Sequence, residues 1–317
     1  MTAQQTAPRC IVVDWGTTSF RAFLTAPDGS VLDAIETADG IGKLAKDEFE
    51  PLLLRNLDDW LGQWPALPVV CLGMITSRNG WIELPYVPCP ADLRALARGA
   101  HETALPNGSP LIFLGGLTDP ARWPYPDVMR GEETQIAGFG LDREATVVLP
   151  GTHSKWARVA GGRIAGFQTF VTGEIFALLS QHSFIARSAA PASPEPRWEA
   201  FARGLAYAAD ERTDASAFLS LIFSARTGML AGKLAASEIT DYVSGLVIGC
   251  EFRQAHEQGW FERGGAIGIV GNDGLNERYA RAAETFGLVV IDGGEEAAIR
   301  GALAILETVQ EASNDAA

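Results

Sequence analysis

Two stretches of this 317-residue chain repeat one design, and that repeat narrows the possible folds more than any other feature. The apolar run Cys10 to Val13 meets small polar residues at Asp14 to Ser19 and resumes at Phe20 to Leu24. After the turn Ala26-Pro-Asp-Gly-Ser30, Val31 to Thr37 continues. Short apolar runs bounded by turn residues are strands, so this segment reads as a three-stranded meander. Midway along the chain, Ala145 to Leu149, Trp156 to Val159 and Arg163 to Phe170 repeat the pattern, with a Gly-Thr-His-Ser tip at 151–154 in the first turn. A recurring supersecondary unit points to internal duplication. Two domains of about 150 residues each are what a chain of this length accommodates.

The remaining periodicity fills in both halves. Asp47 to Leu61 carries Phe49, Leu52, Leu53, Leu57, Trp60 and Leu61 at helical spacing, and Pro68 to Leu72 is a buried strand. Thr76 to Pro90 is a Gly, Pro and aromatic-rich loop. Ala91 to His101 is helical, Leu111 to Leu114 a strand, Thr118 to Pro126 a proline-laden loop, and Gly131 to Leu141 a helix. Beyond Gly173 the chain turns mostly helical. Ala189 to Pro196 reads as an exposed, mobile loop. Ser237 to Gln258 is a long helix, followed by a strand at Ala266 to Val270, a helix at Leu275 to Phe286, a strand at Leu288 to Ile291, and a closing helix at Glu295 to Thr308. The tail from Gln310 is expected to fray.

Charge and composition exclude several functions. A net charge of −14 leaves no basic stripe able to displace counterions from a nucleic acid. No run reaches the roughly 18 apolar residues of a membrane span, and Met1 to Arg9 lacks an apolar core, so an unprocessed, unstructured start to a cytoplasmic protein is expected. Cys10, Cys71, Cys89 and Cys250 have no CxxC spacing and read as reduced thiols rather than zinc ligands. Small anions remain admissible, since a few backbone N–H groups suffice to hold them.

The chemistry concentrates at the two hairpin tips. In Asp14-Trp-Gly-Thr-Thr-Ser-Phe-Arg21, Gly16 followed by Thr17 and Thr18 can aim backbone N–H groups and hydroxyls at a phosphate, while Asp14 can hold Mg²⁺ through water. Gly151, Thr152, His153 and Ser154 occupy the equivalent turn, and Lys155 can offset charge on a transferred phosphoryl group. Either tip alone is an ordinary hairpin turn; the pair points to a triphosphate. Between them, Glu132 and Glu133 open a helix, either as a base that takes a proton from an acceptor hydroxyl or simply as acids favouring a helix N-terminus. In Gly73 to Trp81, Arg78 can pair a carboxylate, Ser77 and Asn79 can bind hydroxyls, and Trp81 can cover a sugar face; Arg21 and Arg130 are further candidates for the carboxylate. Gly271 with Asn272, and Gly293 with Gly294, sit at strand-to-helix turns where backbone can approach an adenosine.

In this order, DWGTTSFRAFL, GMITSRNGW, VMRGEETQIAG, LPGTHSKW and FVTGE resemble the 2-dehydro-3-deoxygalactonokinase family of the sugar kinase, Hsp70 and actin superfamily, from about Ile11 to Ala304. The resemblance implies an α/β chain of two actin-like, ribonuclease H-like domains, each a mixed β-sheet flanked by helices, with an active-site cleft between them. Residues 1–140 would carry the first phosphate segment and the sugar-acid loop, and residues 141–317 the second phosphate segment and the adenosine site. The implied activity is phosphorylation, with ATP and Mg²⁺, of the 6-hydroxyl of 2-dehydro-3-deoxy-D-galactonate in galactonate or galactose breakdown. Wider relatives place a catalytic aspartate shortly before the second phosphate segment. Here the matching stretch holds glutamates, which puts Glu132 narrowly ahead of Glu133 as base.

Two other readings stay open at the level of sequence. One is a kinase for another 2-keto-3-deoxy sugar acid or a neutral sugar, because a single epimer or hydroxyl turns on few contacts. The other is a non-catalytic, actin-like nucleotide-binding protein. Homodimerisation is left open too.

Overall fold

β1 (Cys10–Trp15) is apolar almost throughout, the pattern of a strand covered on both faces. In the computed structural model, which describes residues 7–191, 195–210, 212–213 and 215–315, it pairs antiparallel with β2 (Phe20–Thr25), which pairs antiparallel with β3 (Val31–Thr37). After α1 (Phe49–Gln63), β4 (Val69–Leu72) lies parallel to β1 on its other side. There follow β5 (Val87–Pro88), α2 (Leu93–Arg98), β6 (His101–Ala104), β7 (Pro110–Phe113), β8 (Leu117–Asp119), β9 (Asp127–Met129) and α3 (Glu132–Phe139). The main sheet runs β3-β2-β1-β4-β7-β6, and β5, β8 and β9 form a small one.

The second meander is β10 (Ala145–Leu149), β11 (Ser154–Ala160) and β12 (Arg163–Phe170). Next come α4 (Thr172–His182), α5 (Trp198–Ala209), α6 (Phe218–Leu221), α7 (Ser224–Leu230), α8 (Ile239–Glu257), β13 (Ala266–Ile269), α9 (Asp273–Thr285), β14 (Val289–Asp292) and α10 (Ala297–Asp315). Their sheet runs β12-β11-β10-β13-β14, with β10, β13 and β14 parallel. Each sheet therefore leads from a three-stranded meander into parallel strands, as the repeat predicts, and the first adds an edge strand, β6, antiparallel to β7.

The chain divides into two compact units, and the division departs from a boundary at residue 140. Unit 1 runs up to Glu144 and also takes Val159–Gly166 and everything from Glu296, while Ala145–Arg158 and Phe167–Glu295 form unit 2. The closing helix, expected with residues 141–317, joins unit 1 because α10 lies against α3 at glycine contacts. A Cβ on Gly138 would fall 1.8 Å from Ala297 O, and one on Gly301 1.8 Å from Thr134 O. Only paired glycines allow two backbones so close.

Other local differences have similar causes. α2 stops at Arg98, where the backbone N–H groups of Gly99 and Ala100 close the last turn, and His101 opens an edge strand instead of ending the helix. α10 does not fray at Gln310; it stays helical to Asp315, with Val309 buried. Residues 1–6 of the expected unstructured start, and 192–194 of the expected mobile loop, lie outside the described residues. Cys10, Cys71 and Cys250 are buried free thiols, and no helix among the described residues is long and apolar enough to cross a membrane.

Candidate active site

Unit 1 collects its candidate residues where β1 and β4 end. Asp14 is level with Leu72 in the parallel pairing, so Asp14 and Gly73 leave neighbouring strands at one edge. The carboxyl ends of parallel strands are where α/β sheets build ligand sites. Gly73 has φ 87°, and a Cβ there would lie 3.1 Å from both Asp14 Oδ1 and Trp15 O, so glycine is required by conformation and by space. Gly131, at the start of α3, stacks on it, with a Cβ position 3.4 Å from Gly73 Cα. The end of β1, Gly73 and the first turn of α3 therefore form one floor.

The charges on this floor are coupled. Arg21, opposite Asp14 in the hairpin register, bonds Asp14 Oδ2 at 2.5 Å. Burial nonetheless holds Asp14 above its ordinary carboxylate range; Arg21 opposes the shift, and the negative charge of Glu132 adds to it. Glu132 is half-buried and accepts Arg130 N–H at 2.9 Å. Glu133 is only 1% exposed; its two oxygens accept Gly131 N–H at 3.0 and 2.8 Å, and Oε1 accepts the Thr134 hydroxyl at 3.1 Å. Burial first, and Glu132 second, push Glu133 up to about 8. A closed-off carboxyl that holds its proton cannot meet an acceptor hydroxyl, whereas Glu132 retains access. Asp14 with Glu132 also suits Mg²⁺, which binds through one or two carboxylates and the oxygens of its phosphate ligand.

The two hairpin tips are braced in the same way. At the first, Gly16 N–H bonds Ser19 O at 2.9 Å and leaves Thr17 and Thr18 exposed. The segment after β3 grips this turn: Ile41 N–H bonds Gly16 O and Gly42 N–H bonds Thr17 O, both at 3.0 Å, and a Cβ on Gly40 would fall 2.3 Å from Thr17 O. At the second tip, the residues after β12 do the same. Glu174 N–H bonds Thr152 O at 3.0 Å, and a Cβ on Gly173 would fall 2.4 Å from Gly151 O. Thr152 and His153 are exposed, with His153 Nε2 2.6 Å from Glu174 Oε2. Lys155 is buried and donates to His153 O at 2.9 Å, so its ammonium supports the tip from below. Ser154 is fully buried, its hydroxyl 2.6 Å from that of Tyr279, and does not face outward with its neighbours.

In unit 2 the expected adenosine segments share the edge of the second tip. Gly151, Gly271 with Asn272, and Gly293 with Gly294 follow the parallel strands β10, β13 and β14, and a Cβ on Gly271 would sit 3.5 Å from Pro150 Cδ. The Asn272 side chain caps α9 by accepting Leu275 N–H at 3.1 Å. Gly293 N–H bonds Ile269 O, and Gly294, with φ 72°, bonds the Asp292 carboxylate.

The sugar-acid loop is only partly as expected. Arg78 and Asn79 are exposed, while Ser77 is buried and donates to Met74 O at 2.7 Å. Trp81, expected to cover a sugar face, is half-buried and packs against the core, stacked on Phe49 at 6.5 Å and edge-on to Phe113 at 5.3 Å. Arg130 holds this loop to the start of α3 through Thr76 Oγ1 at 2.8 Å and Leu84 O at 3.1 Å, with its guanidinium over the Tyr86 ring. Sequence reasoning missed the bracing glycines Gly40, Gly42 and Gly173. Their signal was present in the glycine that follows the third strand of each meander.

These features can be set beside known proteins. The family model for 2-keto-3-deoxy-galactonokinase matches residues 14–305. A Rhizobium meliloti (strain 1021) protein named probable 2-dehydro-3-deoxygalactonokinase is 36% identical over 94% of this chain and 96% of its own. The Escherichia coli (strain K12) 2-dehydro-3-deoxygalactonokinase is 31% identical over 88% of this chain and 90% of its own. A solved Sinorhizobium meliloti protein, described provisionally as a 2-dehydro-3-deoxygalactonokinase, superposes with a TM-score of 0.83 at 33% identity, covering 95% of this chain and 99% of that one. The 2-hydroxyisocaproyl-CoA dehydratase activator of Clostridium difficile, solved with ADPNP, shares the fold at 12% identity, with a TM-score of 0.50 over 96% of this chain and 97% of that one. The resemblance carried by the motifs is thereby borne out along nearly the whole sequence, and the chain belongs to the 2-keto-3-deoxy-galactonokinase family of carbohydrate kinases.

Proposed function

We propose that the protein transfers the γ-phosphoryl group of ATP, with Mg²⁺, to the 6-hydroxyl of 2-dehydro-3-deoxy-D-galactonate, as a cytoplasmic enzyme of galactonate breakdown. The observation that carries this reading is the floor of unit 1. There a strand-end aspartate, a glycine loop and an accessible glutamate converge, in a chain whose family match begins at that aspartate.

Glu132 takes the proton of the acceptor hydroxyl as the new O–P bond forms, a role that needs an accessible, ionised carboxylate. Asp14, with Glu132 nearby, holds Mg²⁺, whose charge on the phosphate oxygens eases transfer. Thr17 and Thr18, and separately Thr152 and His153, offer exposed tips to phosphate oxygens, and the glycines after β13 and β14 approach the nucleoside. Arg78 receives the sugar-acid carboxylate, with Asn79 beside it for hydroxyls. Arg21 neutralises Asp14 until the metal arrives, and Trp81 supports the loop by packing.

A coupled ADP-release assay over a panel of sugar acids and neutral sugars tests the proposal. We expect turnover on 2-dehydro-3-deoxy-D-galactonate to exceed that on its gluconate epimer. Turnover confined to neutral hexoses would overturn the assignment.

A further inference from the structure

A carboxylate with no cationic partner among the described residues lies deep in unit 2, on α8. Glu251 is 3% exposed, and its oxygens accept hydrogen bonds from Trp156 Nε1 at 2.7 Å and from the Tyr279 hydroxyl at 2.6 Å. The Ser154 hydroxyl lies 2.6 Å from that of Tyr279, and the Thr172 and Ser154 side chains are close enough to the carboxylate to favour its charged form. Every member is buried. Burial raises Glu251, and the surrounding donors oppose that shift. Such a group is expensive to bury, and hydrophobic residues of equal volume would pack as well, so a bare stability role accounts poorly for it.

The positions of its partners suggest what the network is for. Ser154 ends the second hairpin tip, Thr172 opens α4, whose Gly173 and Glu174 brace that tip, and Tyr279 belongs to α9, the helix entered through Gly271 and Asn272. Thr172 and Tyr279 also line a cavity of about 100 Å³ together with Gly151 and Gly173. One buried carboxylate, with the Tyr279 and Ser154 hydroxyls it organises, thus lies among all three segments that would hold the nucleotide.

We infer that Glu251 and Tyr279 are positioning residues for ATP: a buried strut that fixes the Gly151–Ser154 tip relative to the nucleoside turn of α9. The inference rests on the reading of that tip as a phosphate segment. Steric and hydrogen-bonding order of this kind sets where backbone donors point, and a misplacement of about 1 Å can cost on the order of a hundredfold in rate.

Steady-state kinetics on Tyr279→Phe and Ser154→Ala test it, with Glu251→Gln as a third variant and circular dichroism to establish the folded fraction. We expect KM for ATP to rise at least about threefold, with KM for the sugar acid unchanged, because only nucleotide binding loses its preset geometry. A merely structural network would lower melting temperature without separating the two substrates. A smaller rise in KM for ATP in the folded Tyr279→Phe and Ser154→Ala proteins, or an equal rise for both substrates, overturns the strut. Gly151→Leu separates this from the underlying reading, since nothing lies within 4 Å of a Cβ at that position and the added side chain would occupy open space. If it leaves KM for ATP unchanged, the phosphate-segment reading falls and takes the strut with it. If it weakens ATP binding while Tyr279→Phe and Ser154→Ala do not, the strut alone is refuted.

Discussion

At the scale of single residues, two adjacent glutamates have been given opposite environments. Glu132 lies half-buried within electrostatic reach of Asp14; Glu133 is enclosed and raised to about 8 by burial and by Glu132. Glu132→Gln should lower kcat by about 10²–10⁴, the usual worth of a general base, while Glu133→Gln stays within about tenfold of the parent. Unchanged turnover in Glu132→Gln would remove the base assignment. Glu133 supplies a separate test through pH. Its folded value lies above its unfolded one, so the folded state holds the proton more tightly; the stability this confers is complete below about pH 4.5 and is lost as pH rises through about 8. Glutamine cannot ionise, so the melting temperature of Glu133→Gln relative to the parent should climb by several degrees (~5 °C) from pH 5 to 8.5. A difference constant across that range would mean that the carboxyl is already ionised in the fold. Adjacent identity let sequence alone put Glu132 only narrowly ahead of Glu133, because the turn of α3 decides which one faces inward. Trp81 was legible only in part for a related reason: an aromatic between polar loop residues suits a sugar platform and a core wall equally, and half-buried it packs against Phe49 from a distant helix.

At the scale of elements, the meanders were legible because their strands are locally encoded by apolar runs between turn residues. Their tips were legible as well. The bracing of those tips was not, since Gly40 and Gly173 act by what they lack, against backbone that comes before the preceding strands. Neither has a positive φ among the glycines of that class, so the requirement is purely steric. Gly40→Ala and Gly173→Ala should each push a phosphate tip out of place and raise KM for ATP about tenfold or more, the scale on which small displacements act. Gly62→Ala in α1 is the control, because nothing lies within 4 Å of its Cβ position; helix propensity alone predicts about 0.5–1 kcal/mol of added stability there. Wild-type ATP kinetics in both tip variants would show that the tips bear no phosphate. The place of α10 was equally hidden. Its contact with α3 depends on Gly138 and Gly301, more than 160 positions apart, and nothing local in either helix announces the pairing.

For the molecule as a whole, the duplicated architecture could be anticipated, whereas the return of the last helix to unit 1 could not. Net charge adds a constraint that fold does not. The chain carries −14, yet both proposed substrates are anions, so the long-range field opposes their approach. The floor of unit 1 offers little net positive charge: Asp14 pairs with Arg21, Glu133 keeps its proton near neutral pH, and Glu132 accepts the backbone N–H of Arg130, whose guanidinium is engaged by Thr76 and Leu84. Little local attraction is left to outweigh the global repulsion. Screening acts over about 8 Å at 0.15 M ionic strength, which is short enough to remove the distant charges and spare close contacts. We therefore expect kcat/KM for the sugar acid to rise about twofold between 10 and 150 mM potassium chloride, at saturating ATP and Mg²⁺. A neutral sugar accepted as a poor substrate should show no such trend. A steady fall with salt would mean that exposed cations such as Arg78 dominate the encounter, and that the acidic surface is too remote to matter.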